Sequence, residues 1–136
     1  MPMKQDWYID GRVALVRFWG DVSVDDVVEA LDVSAQLVKE GEYPKVHFLH
    51  DWSRINKFPT NILQIRRDSK AQLDDEEKLG WMVVFGMENR VLRFISQVVL
   101  QVFNIPFRMF STQEEAREFL KDIDPTLPDI PPVPAH

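Results

Sequence analysis

The sequence predicts one α/β domain on a mixed, mostly parallel five-stranded sheet, in the order ββαβαβαβα. Three observations point there. Asp10-Gly11 lies between two apolar runs, a strong hairpin signal because such a turn needs positive φ. Strand-like runs then alternate with segments whose apolar residues recur at helical spacing, which implies crossovers and one antiparallel edge. The chain has 136 residues and 45% hydrophobic composition, enough to bury a core in one domain.

The stretch "DWYIDGRVALVRFWG" supplies the first two strands. Val24, Val27, Val28, Leu31, Ala35 and Val38 then mark a helix, with Ser23 placed to cap it and Gly41 to end it. Asp25, Asp26 and Glu29 favour its positive start. "KVHFLHDW" is the third strand, and "PTNILQIRRDSKAQL" is a weaker second helix with Thr60 as its expected N-cap. "WMVVFG" reads as a buried strand, "NRVLRFISQVVLQVF" as a strong third helix and "PFRMFS" as the last strand, where Pro106 is tolerable at the first position. "TQEEAREFLKDI" closes the domain, capped by Ser111 or Thr112.

The domain spans residues 1–124, and 125–136 form an extended tail. Five of the thirteen residues in "DPTLPDIPPVPAH" are proline, the composition of a polyproline II segment. Leu127, Ile130 and Val133 are three apart, so one edge of that segment is aliphatic. It is expected to dock in an apolar groove formed by the third helix of the same or a partner subunit.

Composition excludes several functions. A net charge of −6 disfavours a phosphate-backbone binder and an electrostatic membrane-surface protein. Without cysteine there is no disulfide, thiolate nucleophile or zinc–thiolate site. "MPMKQDWYID" has no apolar leader core, and no apolar stretch is long enough to cross a bilayer, so a cytoplasmic protein is expected. Phosphate-loop and nucleophile-elbow patterns are missing.

His47 and His50 fall on opposite faces of one strand, and His50 with Asp51 makes an incomplete set for a metal or acid–base site. No catalytic residues, metal or cofactor are expected. "DDEEK" at 74–78 reads as a solvated acidic turn. In the third helix a narrow polar stripe of Arg90, Arg93, Gln97, Gln101 and Asn104 leaves an apolar arc of about two thirds of the circumference at ~100° per residue. A surface helix shows an arc only a little over about 100° wide. The excess, which includes Phe94, Val99 and Phe103, needs cover from the tail, a second subunit or an apolar ligand.

The element order, the strand ending "FLHDWS", the helix opening "PTNI", "MVVFG" at 82–86 and the closing Phe110, Glu115, Ala116, Phe119 and Leu120 together resemble the bacterial anti-sigma-factor-antagonist-like superfamily. This is the STAS and SEC14-like fold, and the likeness is to its small stand-alone members, over about residues 6–122. The resemblance implies a non-catalytic protein-binding or regulatory module, expected as a homodimer. In antagonist proteins a serine after an Asp-Ser pair at the second helix is phosphorylated to release a partner. Here Pro59 stands where the aspartate would be and Asn61 roughly where the serine would be, so the usual switch serine is missing and Thr60 is a displaced substitute. Asp51, Ser53, Thr60 and Asn61 make up the implied binding loop. The SEC14-like half of the superfamily implies the alternative, a carrier or sensor of an apolar ligand or lipid.

Overall fold

The computed structural model describes residues 2–69, 77–102 and 105–135. β1 (Met3–Ile9) and β2 (Val13–Asp21) form an antiparallel hairpin around Asp10-Gly11. Gly11 has φ +74°, the region that the sequence signal anticipates. Three crossovers follow through α1 (Val24–Glu40), β3 (Val46–Lys57), α2 (Ile62–Asp68), β4 (Leu79–Phe85), α3 (Arg90–Val102) and β5 (Phe107–Phe110). α4 (Gln113–Ile123) closes the order. The sheet runs β1-β2-β3-β4-β5 with every pair after the hairpin parallel, so the expected mixed five-stranded architecture is present.

The sheet separates two cores. α1, α2 and α3 cover one face, where Val27, Ala30, Val38, Ile65 and Leu100 meet Val16, Phe48, Trp52 and Val84. α4 and the tail cover the other, where Ala116, Leu120, Leu127, Ile130 and Val133 meet Val13, Leu49, Val83 and Phe85. The central strand β3 is therefore buried on both faces from Val46 to Trp52.

The tail departs from expectation in its partner. Leu127, Ile130 and Val133 are 2%, 8% and 4% exposed, but they sit against α4 and the sheet, on the face opposite α3. Spacing by three shows which tail side chains share an edge, but not which sheet face receives that edge. These three residues are thus core of the chain's own second face, and the apolar arc of α3 is not covered by them.

The turn into α2 also differs. Asn61, not Thr60, is the N-cap, its Oδ1 accepting from the Gln64 N–H at 3.1 Å. β3 continues through "SRINK" to Lys57, which shortens the connection and starts the helix one residue later. Asn61→Ala should cost about 0.5–2 kcal/mol, whereas Thr60→Ala should be nearly neutral. Chemical denaturation of both variants checks the order, and a larger loss for Thr60→Ala would contradict this assignment.

Candidate functional site

The carboxyl ends of β3 and β4 and the starts of α2 and α3 meet at one end of the sheet, where open α/β sheets place ligands. Asp51 lies there but is buried at 4% exposure. Its Oδ1 accepts from the Ser53 N–H at 3.0 Å and from the Ser53 hydroxyl at 2.6 Å. Its Oδ2 is 3.9 Å from Arg17 Nε. The carboxylate thus shapes the strand end and is not presented to a ligand. Ser53 is exposed and faces Gly86, where φ is +89° and a Cβ would come within 2.9 Å of Ser53 Cβ. Only glycine lets β4 end that close to β3.

Beyond Gly86 the chain enters α3 through Asn89, whose Oδ1 accepts from Val91 and Leu92 N–H at 3.0 and 3.1 Å. An asparagine ahead of an apolar run carries that cap signal in the sequence. Leu92, Ser96 and Leu100 turn to the core, with the Ser96 hydroxyl donating to the Leu92 carbonyl. Val91, Phe94 and Val98 point the opposite way and are 67%, 67% and 40% exposed. Leu63 on α2 is exposed as well. Of the apolar positions singled out from the sequence, Phe94 is on this open face. The Val99 side chain and the whole of Phe103 lie outside the described residues, as do positions 74–76 of the acidic run.

Inside the first core, Phe18, Leu31, Phe48, His50, Trp52 and Met82 line a cavity of about 50 Å³. Trp52 Nε1 donates to His50 Nδ1 at 3.2 Å, which leaves the imidazole proton on Nε2. Burial pushes the His50 pKa down to about 3, so the ring is neutral. A cavity of this size exceeds the roughly 10–15 Å³ needed for one water, but falls short of the roughly 150 Å³ that holds a benzene.

His47 serves the opposite face. Its Nε2 donates to Asp124 Oδ2 at 2.8 Å and its Nδ1 accepts from the Trp81 N–H at 2.9 Å. Arg12 Nη2 donates to the same Asp124 oxygen at 2.9 Å. Both imidazole nitrogens are engaged, so this Asp–His pair has no free lone pair for proton abstraction. Burial lowers the His47 pKa against the opposing pull of Asp124. Among the described residues no group of three or more His, Asp or Glu is placed to hold a metal ion.

Neither a protein-family model nor a curated protein sequence matches the chain. Among solved structures it is similar to the anti-sigma factor antagonist SpoIIAA in its unphosphorylated form, at 12% identity and TM-score 0.57, over 90% of this chain and 98% of that one. The fold is STAS-like. In this STAS-like frame the position that the sequence resemblance matches to a switch serine is Asn61, and its side chain is engaged in the α2 cap. Thr60 is exposed just ahead of it. Sequence reasoning missed Asn89, the Arg12–Asp124–His47 cluster and the side chains that hold the tail. Those side chains are Gln113, Arg117 and Lys121 of α4, which donate to the Val133, Ile130 and Leu127 carbonyls, and four-residue spacing on one helix face carries no signal for such a role. Among the described residues no helix is long and apolar enough to cross a membrane.

Proposed function

We propose that this chain is a cytoplasmic, non-catalytic, protein-binding module of the anti-sigma antagonist type, which works by association rather than through a serine phosphorylation switch. The observation that carries the reading is the apolar stripe Val91, Phe94 and Val98, on the side of α3 opposite its buried line. A sheet-covering helix has no packing need for such a stripe, and exposed apolar faces mark association sites. It follows Asn89, whose side chain caps the start of α3, so the apolar stripe begins within one turn of a polar helix end. The solved neighbour, described as an anti-sigma factor antagonist, supports a protein partner. We assign the stripe to a symmetric homodimer, in which Phe94 meets its own copy across a two-fold axis.

Sedimentation equilibrium at tens of micromolar tests this, a range in which micromolar affinities register. The wild type is expected to be dimeric, and Phe94→Glu to weaken the dimer by about tenfold or more, as burial of an unpaired charge requires. A wild type that sediments as a monomer overturns the homodimer. The carrier reading rests on the cavity beside His50, whose volume of about 50 Å³ would have to widen to take even a benzene-sized molecule. Native mass spectrometry of protein purified from cells separates the two readings, because it reports subunit count and retained ligand together.

A further inference from the structure

The tail lies in a groove whose walls read its backbone. Along one wall, Gln113, Arg117 and Lys121 stand four residues apart on α4, while the carbonyls they meet stand three apart on the tail. Lys121 Nζ donates to the Leu127 carbonyl, and Arg117 Nη1 donates to the Ile130 carbonyl at 3.2 Å. Gln113 holds Val133 at two points, donating to its carbonyl at 3.1 Å and accepting from its N–H at 2.6 Å. Along the other wall, the Tyr8 hydroxyl lies 2.7 and 2.8 Å from the Pro131 and Pro132 carbonyls and donates its proton to that pair. Arg17 Nη2 donates to the Pro134 carbonyl at 2.7 Å. Beneath, Leu127, Ile130 and Val133 fill apolar sockets in the second core.

Each of these contacts is either to the main chain or to an aliphatic side chain at every third position. An extended proline-rich segment makes no hydrogen bonds of its own, so its carbonyls are free for such reading. Folding domains that bind proline-rich ligands use the same two elements, an apolar groove and donors to carbonyls. We propose that this groove is a polyproline II recognition site able to work in trans, and that its trans occupant is the tail of a second copy.

The tail is the segment seen to fit, and every copy carries it. An exchange of tails keeps all the contacts above while joining two chains, the low-cost route to a swapped dimer. The division point is marked in the structure. Asp124 and Thr126 are both tied to Arg12 on their own body, and Asp124 also to His47, so the exchanged segment begins after Thr126. The prolines also keep a released tail extended, so little ordering is lost on rebinding. This surface lies on the sheet face opposite α3 and does not depend on the stripe there.

The test uses full-length chains. Ile130→Asp should free the groove of its own tail, and a fluorescein-labelled peptide of residues 125–136 should then bind it saturably by anisotropy. Adding Tyr8→Phe should weaken that binding by about 2- to 10-fold, the usual worth of one hydrogen bond. If Ile130→Asp does not fold by circular dichroism, Ile130→Ser takes its place, since it loosens the same central anchor without burying a charge. A folded variant that shows no saturable binding overturns the site. For the exchange, light and heavy-isotope chains carrying Phe94→Glu are mixed and followed by native mass spectrometry. Mixed dimers that vanish when Ile130→Asp is added support tail exchange, whereas no mixed dimers, or mixed dimers that survive the substitution, overturn it.

Discussion

Asp124→Ala is expected to remove about 3–5 kcal/mol of folding stability, the usual cost of stripping one partner from a buried ion pair. Arg12 and Asp124 are 8% and 7% exposed, and His47 is 1% exposed. The carboxylate takes Arg12 and His47 on Oδ2, and the Thr126 N–H and hydroxyl on Oδ1. Alanine leaves a guanidinium in the second core without its counter-charge and the His47 Nε2–H without its acceptor. The double variant Arg12→Met, Asp124→Leu should recover most of the loss, because removal of both charges is far cheaper than removal of one. Urea denaturation of the three proteins checks this, and a single variant within about 1 kcal/mol of wild type would mean that water already screens the pair.

Acid should loosen the same cluster. Burial alone would raise the Asp124 pKa, but the hydrogen bonds from Thr126 and His47 outweigh it and hold the carboxyl below its ordinary range. Its contribution is therefore complete above the unfolded value of 3.8 and is lost as pH falls through the lower folded value. His47 is also depressed, so the unfolded chain binds its proton first and stability declines as pH drops below 6.5. Both groups act in the same direction, and the midpoint urea concentration should fall from neutral pH downward.

The second large effect concerns the tail. Truncation after Asp124 removes three buried aliphatic side chains, each worth about 1.5–3 kcal/mol, less the small ordering entropy of a proline-rich segment. It also exposes Leu49, Val83, Leu120 and Phe85, which the tail helps to cover. The melting temperature should fall by a few degrees for each kcal/mol lost, and Ile130→Asp should reproduce much of the change. A truncated protein that melts with the full-length one would make the tail a passive appendage.

Much of this was legible in the residues. Apolar spacing and caps located α1 and α4, and Asp10-Gly11 located the hairpin, because each signal depends only on near neighbours. Tail spacing likewise foretold that Leu127, Ile130 and Val133 share an edge. What escaped was set by distant contacts. The groove partner of the tail is α4 rather than α3, since helical periodicity gives the apolar side of a helix but not the sheet face it covers. Asp124 meets Arg12 and His47 across long stretches of sequence, so no local pattern joins them. β3 ran further than expected because "SRINK" pairs with β2 alone past the end of β4, where polar side chains suit a strand as well as a loop.

The division of labour between the two sheet faces has a consequence during synthesis. The three crossover helices and β5 precede α4 and the tail, so the first core can assemble while residues 113–134 are still within the ribosome. The second core cannot, because its lid consists of α4 and the tail, which emerge after every strand of the sheet. Until then Val13, Leu49, Val83 and Phe85 form an open apolar wall, the kind of transient surface that chaperones engage. Emergence of α4 and the tail, rather than formation of the sheet, is thus the event that covers this apolar wall.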